Sequence, residues 1–285
     1  MGTLYLISTP IGNLEDLTFR AARILGEVDL VLAEDTRRTL ILLNHLGIRV
    51  PLESLHEHNE AARIPSVLER LRAGGTLALV SDAGTPLVSD PGERLVPQVM
   101  DDGHRVVPIP GPSAVLTALV ASGLPSIPFA FLGFVPRKGR ERREMLERIR
   151  TAPETTVVFE SPERCLELLE ALEPEWAEGR EVAVARELTK LHEEVRRGTP
   201  SALAGYYREN PPRGEVTVVV APAGTSGDGA EADAQAVRAL ARALLDQGRS
   251  PSRAAREVAD RLRVPRNQAY SLVQEVAADP ESDGS

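Results

Sequence analysis

The chain has 285 residues, enough for about two domains that bury a full core without disulfides or a structural metal. Hydrophobic residues make up 42% and charged residues 26%, a globular balance that excludes fibrous and wholly disordered classes. A net charge of −9 argues against a chain basic throughout, and one cysteine excludes both an intramolecular disulfide and a cysteine-rich zinc site.

The first 133 residues alternate short apolar runs with helical periodicity. Strands are predicted at 4–8, 30–33, 76–80 and 106–109, with helices at 18–25, 36–46, 61–72, 93–101 and 113–122. Such alternation predicts an α/β domain with a mostly parallel sheet. Gly133-Phe134-Val135-Pro136-Arg137 breaks the pattern and reads as an interdomain joint. A second α/β domain is expected over 134–222, with strands at 155–159, 181–186, 193–197 and 215–220 and helices at 162–172 and 201–208. Two of its strands are separated by only a few residues, which predicts a mixed sheet. Cys165 shares a helical face with Leu168, Leu169 and Leu172 and reads as a small buried hydrophobe. Residues 223–234 read as a glycine-rich linker, 235–277 as a helical module and 278–285 as a tail.

The segment Val106–Pro136 carries no charge and is long enough to span a bilayer. Pro108, Pro110, Pro112, Pro125, Pro128 and Pro136 interrupt it, so no spanning helix is expected. The opening Met1–Leu6 lacks the basic start of a signal peptide. A cytoplasmic protein in a reducing compartment is expected.

No Walker A pattern, strand-linked G-x-G-x-x-G, HExxH or G-x-S-x-G occurs. The chain instead places polar, glycine- and proline-rich turns after its predicted parallel strands. These are Ser8–Asp16, Glu34–Arg37, Ser81–Gly92 and Pro110–Ala114. In a parallel sheet all four emerge at the carboxyl edge, where open α/β folds bind ligands. Glycine lets backbone approach a ligand, and helix N-termini present free N–H groups. Asp90-Pro91-Gly92-Glu93 matches a helix-capping box, which gives Asp90 a structural role. Asp82 ends a strand and has no such role, so its carboxylate suits a ribose diol or an amine. His56-Glu57-His58 has no further ligand in view, and no metal site is expected.

The series STPIGNLEDLT, AEDTRRT, SDAGTPLVSDPG, PIPGPSA, GFVPRKGRER, VVFESPERC, ARELTKLHEE and GEVTVVVAP resembles the tetrapyrrole methylase superfamily over about residues 3 to 222. Within it, the chain is most similar to the bacterial 16S rRNA (cytidine-2′-O-)-methyltransferases. The resemblance implies two α/β domains with an S-adenosylmethionine cleft between them, usually in a homodimer. Matched residue by residue, it implies cofactor contacts from Pro10, Gly12, Asp82, Gly84, Thr85, Pro86, Ser113 and Ala114. Phe159, Arg186, Glu187 and Leu188 are implied from the second half. The implied reaction is 2′-O-methylation of a 16S rRNA cytidine in the decoding region of the small ribosomal subunit.

A ribose 2′-hydroxyl is a weak acid, so a base or charge-stabilising group is expected beside it. Candidates in the family-like segments are Glu34, Asp35, Lys190, Glu193 and Glu194, with Asp35, Lys190 and Glu193 as the catalytic set. Asp35 equally fits an N-cap or a pair with Arg37 or Arg38.

RNA contacts are expected on local basic surfaces. Residues 137–150 hold seven basic side chains against three acidic ones, and 238–276 hold eight against four. Arg137, Lys138 and Arg140 from the first segment and Arg253, Arg256 and Arg266 from the second are the RNA-contact candidates. The C-terminal helix–turn–helix pattern is compatible with such a module. Two other readings are a tetrapyrrole or diphthine-type methyltransferase and a non-catalytic nucleic-acid-binding regulator.

Overall fold

The structure is a computed structural model that describes residues 1–172, 180–223, 227–262, 264 and 266–278. The chain divides into two compact units, one holding two sheets and the other the C-terminal helices.

The first sheet comprises β1 (Thr3–Ile7), β2 (Leu30–Ala33), β3 (Leu52–Ser54), β4 (Thr76–Val80) and β5 (Arg105–Ile109). Its strands lie in the order β3-β2-β4-β1-β5 and every pair is parallel. Both faces are covered, which is why these strands read as unbroken apolar runs and not as alternating ones. Leu30, Leu32, Leu77 and Leu79 pack with Ile64, Val67 and Leu71 of α3 (Glu60–Arg72) and Leu95 and Val99 of α4 (Leu95–Asp101). Val31, Ala33, Ala78 and Val80 face the other way, onto Ile24 and Leu25 of α1 (Phe19–Leu25) and Leu42 and Leu43 of α2 (Thr36–Leu46). The edge strand β3 escaped the sequence reading because its three residues, Leu-Glu-Ser, carry no hydrophobic period.

The second sheet comprises β6 (Phe129–Phe134), β7 (Thr155–Glu160), β8 (Val182–Arg186), β9 (Glu194–Gly198) and β10 (Val216–Val220). The order is β6-β7-β10-β8-β9, with β6 parallel to β7 and the remaining pairs antiparallel. This is a mixed sheet, as expected from the short connections. However, β6 crosses the expected boundary at 133/134, so Gly133 and Phe134 belong to a strand and not to a joint. Prolines on either side hid it, and its register shifts between Phe131 and Phe134, where Gly133 turns to φ 74°. Helices α6 (Gly139–Thr151), α7 (Pro162–Leu172) and α8 (Pro200–Glu209) complete this half, and Cys165 is fully buried on α7.

One helix joins the two sheets. Val115, Ala118 and Leu119 of α5 (Ala114–Ala121) bury against Val157, Ala183, Ala185 and Val219 of the second sheet. The helix that follows β5 therefore packs on the neighbouring half.

The C-terminal unit contains α9 (Gly227–Asp246), α10 (Pro251–Leu262) and α11 (Arg266–Ala278). Val237, Ala241, Leu244, Ala254, Val258, Ala269 and Val273 form its own core. Helix begins at Gly227, so most of the expected 223–234 linker is helical. The alanine content of that stretch favours helix strongly enough to outweigh its glycines. Of the expected tail, 279–285 lie outside the described residues. Among the described residues no helix is long and apolar enough to cross a membrane.

The predicted capping box at Asp90–Glu93 does not form. Helix α4 starts later, at Leu95, and its first N–H groups are capped from a distant element. Buried Glu60, the first residue of α3, accepts hydrogen bonds at Oε1 from the Arg94 and Leu95 N–H groups, both at 2.9 Å. A carboxylate at a helix N-terminus also gains from the helix dipole. Glu60→Ala strands two donors, so a loss of about 2 kcal/mol of stability is expected in urea denaturation. A midpoint unchanged from wild type would remove this capping role.

Candidate active site

Three of the four carboxyl-edge loops are stitched into a single floor. Thr9 and Gly84 exchange backbone hydrogen bonds, Thr9 N–H to Gly84 O at 2.8 Å and Gly84 N–H to Thr9 O at 3.0 Å. The Thr9 hydroxyl donates to Ser81 O at 3.1 Å, and the Thr85 hydroxyl donates to Pro112 O at 3.3 Å. The hydroxyls of Ser8 and Thr85 lie 3.0 Å apart. Gly84 sits at φ 87°, in the left-handed region that favours glycine. Gly111 is needed for closeness instead, since a Cβ there would meet Ser8 Cβ at 2.9 Å.

Above this floor lies a cleft of about 440 Å³ lined from both sheets. The first half supplies Ile11, Glu34, Arg38, the Asp82–Thr85 turn, Val88–Asp90 and Ser113–Val115. The second supplies Phe134, Phe159, Glu160, Ser161, Pro162 and the 214–217 segment. Phe159 packs at 4.8 Å from Phe131 and 5.3 Å from Phe134, giving one wall an aromatic surface. Ser113 caps α5, so the free N–H groups of that helix start at the cleft lining.

The opposite side is acidic. Asp82 accepts the Asp35 N–H at 2.9 Å and lies 3.6 Å from Arg38 Nε. Burial and the nearby Asp82 charge raise the pKa of Glu34. Burial, then the Glu34 charge, pushes Asp90 up to about 7. Glu160 is fully buried at the end of β7, and burial raises its pKa despite two guanidinium neighbours. Those neighbours are Arg164, which pairs with Oε1, and Arg142 of α6, 3.9 Å from Oε2. The Ser161 N–H donates to Oε1 at 2.7 Å.

Of the residues expected to contact cofactor, Asp82, Gly84, Thr85, Ser113, Ala114 and Phe159 line this cleft, whereas Pro10, Gly12, Pro86, Arg186, Glu187 and Leu188 do not. Pro86 is buried beneath the turn. Arg186 turns to Glu194 at 2.7 Å, beside Tyr206 and Arg213. Leu188 belongs to the apolar cluster under Ile11 and Val115. Gly12 is closed over by the Leu188–Lys190 turn, where a Cβ would meet Thr189 Oγ1 at 2.8 Å. Glu187 adopts φ 51°, and Gly214 at φ 77° leaves no room for a Cβ beside the Glu187 carboxylate.

The expected catalytic set does not gather in the cleft. Asp35 is the N-cap of α2, bonded to the Arg37 N–H at 2.9 Å and to its guanidinium at 2.6 Å. Those hydrogen bonds hold its pKa down to about 2, which makes it a weak base. Lys190 donates to Glu187 at 2.9 Å and Glu215 at 3.1 Å. Burial works to lower its pKa, but these two partners outweigh it and raise the value. Glu193 lies just before β9, not within it, and accepts the Thr189 N–H at 2.6 Å. The lining carboxylates that sequence reasoning passed over as ligand contacts are Asp90, Glu160 and Glu215. Asp90 was hidden by its resemblance to a cap, and Glu160 by the adjoining Phe159.

The expected RNA contacts are surface groups. Arg137, Lys138 and Arg140 are exposed, with Arg140 paired to Glu144 at 2.6 Å. Arg253 and Arg256 are exposed on α10 near Tyr270, while the Arg266 side chain lies outside the described residues. Among the described residues no group of His, Cys, Asp and Glu is arranged to hold a metal ion.

Residues 3–204 match the model of the tetrapyrrole (corrin/porphyrin) methylases, and the chain belongs to that family. It is 43% identical to the ribosomal RNA small subunit methyltransferase I of Synechocystis sp., over 98% of this chain and 100% of that protein. Proteins of the same name from Thermotoga maritima and Escherichia coli O157:H7 are 48% and 42% identical, over 77% and 96% of this chain and 98% and 95% of theirs. Among solved structures, a diphthine synthase superposes with a TM-score of 0.62 at 16% identity, covering 77% of this chain and 90% of its own. The uroporphyrin-III-C-methyltransferase from Thermus thermophilus gives 0.55 at 22%, covering 77% and 94%, and both show the same fold.

The protein is a methyltransferase whose cofactor is S-adenosylmethionine. The residues present fit that molecule: carboxylates line one side of the cleft, where cationic groups are favoured, and Phe134 and Phe159 supply an apolar aromatic face. Bound there, the cofactor supplies an electrophilic methyl group on a sulfonium. The protein's part is to position it and exclude water, since in-line displacement depends on alignment.

Glu160 holds two arginines at the edge of this cleft. Glu160→Gln leaves the Arg164 guanidinium without its carboxylate partner and Arg142 with Glu167 alone, so a loss of about 3 kcal/mol is expected in denaturant unfolding. A loss below about 1 kcal/mol would mean that solvent compensates the pair.

Proposed function

We propose that the protein transfers the methyl group of S-adenosylmethionine to a cytidine 2′-oxygen of 16S rRNA in the small ribosomal subunit. The observation that carries this reading is likeness, at 42–50% identity over 79–98% of this chain, to proteins named ribosomal RNA small subunit methyltransferase I. The solved tetrapyrrole and diphthine enzymes share the fold at only 16–22% identity. The surface supports the same reading. Arg137 and Lys138 follow cleft-lining Phe134 and are exposed without an ion-pair partner among the described residues. A cationic rim can hold phosphates while an acidic cleft rejects them, which leaves the interior for uncharged sugar and base. A non-catalytic regulator would have no use for this cleft.

In this reading Asp82, Gly84, Thr85, Ser113, Ala114 and Phe159 hold the cofactor. Arg137, Lys138, Arg140, Arg253 and Arg256 engage RNA, and the protein works in the cytoplasm as a homodimer. The halves built on the first and the second sheet act as the two lobes, with 235–277 as a further RNA contact.

The decisive experiment is mapping of 2′-O-methylation on 16S rRNA from cells with and without the protein, with transfer to purified small subunits alongside. Loss of one cytidine ribose methylation supports the reading; methylation of a free tetrapyrrole and of no RNA overturns it. Asp82→Ala should weaken S-adenosylmethionine binding about tenfold or more in calorimetry, since it removes a charged hydrogen-bonding group from the cleft. Unchanged affinity in the folded variant would take Asp82 out of the cofactor site. Arg253→Glu with Arg256→Glu in the full chain should weaken RNA binding and lower its salt-dependence slope by about two, with cofactor affinity unaltered. An identical slope would assign the C-terminal unit another role.

A further inference from the structure

The C-terminal helices lie beyond residue 204, where the family match ends, and have their own core. Their surface carries an open groove of about 570 Å³ between the first half of α10 and α11. Ser250, Ser252, Arg253, Ala255, Arg256 and Tyr270 line it, with no acidic side chain among the described lining residues. Arg253 and Arg256 are both exposed and stand three residues apart on the helix, a spacing at which like charges repel. Neither has an ion-pair partner among the described residues. The acids close by are engaged elsewhere, Glu257 with Arg261 and Glu275 with Arg238. Two guanidinium groups held side by side without a counter-charge suit anions, and phosphates above all. The start of α10 adds little of its own. Pro251 has no N–H, and the Arg253 and Ala254 N–H groups both donate to Ser250 O.

Tyr270 supplies a different kind of surface. It is 48% exposed, whereas Ala269, Leu272 and Val273 beside it on α11 are buried in the core. Ala255, the other apolar side chain of the groove, is small and buried, so the tyrosine ring is the stacking surface there. An open aromatic ring next to unneutralised arginines matches a base joined to its phosphates. In a duplex the faces of the bases are covered by their neighbours, so a duplex would use the arginines and leave the ring idle.

We propose that this groove binds an unpaired nucleotide of RNA, its base stacked on Tyr270 and its flanking phosphates held by Arg253 and Arg256. The choice of RNA rests on the functional reading above, and the groove narrows it to single-stranded segments. The Ser250 and Ser252 hydroxyls stand where a phosphate or a ribose hydroxyl can bond to them. Stacking on a ring tolerates any base, so the groove selects the unpaired state and not the sequence.

The test uses the full-length protein and two fluorescein-labelled RNAs, a single strand of about ten nucleotides and a duplex of equal length. Binding is followed by anisotropy at several salt concentrations. Tyr270→Ala should weaken single-strand binding about tenfold and leave duplex binding within about twofold of wild type. Tyr270→Phe keeps the ring and should bind both RNAs as wild type does. Stacking releases no counterions, so Tyr270→Ala should retain the wild-type salt slope, whereas Arg253→Ala should lower the single-strand slope by about 0.7. A further measurement needs no variant. A single strand carrying iodouridine, irradiated in the complex, should cross-link to Tyr270, with the adduct located by peptide mass.

Single-strand affinity unchanged in Tyr270→Ala overturns the inference. An equal loss for the duplex overturns it too, since the tyrosine would then act through the fold alone. So does an adduct found elsewhere in the chain and not on Tyr270. A protein that methylates small subunits but is indifferent to Tyr270 in single-strand binding overturns this inference alone. One that binds single strands through Tyr270 yet leaves small-subunit RNA unmethylated supports this inference and overturns the functional reading.

Discussion

The pair of hydrogen bonds exchanged by Thr9 and Gly84 is the constraint on which the cleft depends. A parallel sheet delivers its loops to one edge, but that alone leaves them as separate flexible turns. The Thr9–Gly84 bridge ties the loop after β1 to the loop after β4, and Thr85 extends the tie to the loop after β5 through Pro112. Once they are joined, the Asp82–Thr85 turn and the start of α5 have fixed relative positions. Since α5 also packs on the second sheet, the floor of the cleft and its far wall share one core. The geometry of the site is thus set by backbone pairing and apolar packing, before any charged group is considered.

Charge is then distributed by function. The cleft interior is acidic and the segment leading into α6 is basic, although the two lie close in sequence. Arg142 shows how they are kept compatible. It belongs to the basic helix α6, yet it is buried, donating to Pro136 O at 3.2 Å and pairing with Glu167 at 3.1 Å and with Glu160. One arginine of that helix serves to anchor it against the acidic wall. Arg137, Lys138, Arg143 and Arg148 remain exposed at its surface.

The fold was largely legible because each parallel strand is an apolar run followed by a turn rich in Gly, Pro and Asp. What was misread involves partners distant in the chain. Asp90–Glu93 satisfies the local rule for a cap, but α4 takes its cap from Glu60, 34 residues before Arg94. Asp35 shows the converse, since its cap on α2 and its pair with Arg37 are both local and could be weighed from sequence. The strand β6 was obscured by the prolines around it, and the joint was placed where its last residues lie. Cys165 matched its helical spacing: it is buried, and burial pushes its thiol up to about 12, so it is inert. The cleft carboxylates Glu160 and Glu215 could not be ranked from sequence, because which glutamate faces a ligand depends on strand register.

The near absence of lysine gives the molecule an unusual chemical simplicity. Apart from the N-terminus, its amines are Lys138 and Lys190. Acylating and reductive-alkylation reagents attack only the unprotonated amine, so the two sites differ in kind. Lys138 stands open to solvent at the head of α6. Lys190 is held by Glu187 and Glu215, with its stem against Gly12 at the turn that closes over the first loop. Modification at Lys190 therefore requires its pairs with Glu187 and Glu215 to open. The ratio of label at the two lysines, read by mass, is a built-in gauge of how often those ion pairs open, with Lys138 as the internal standard.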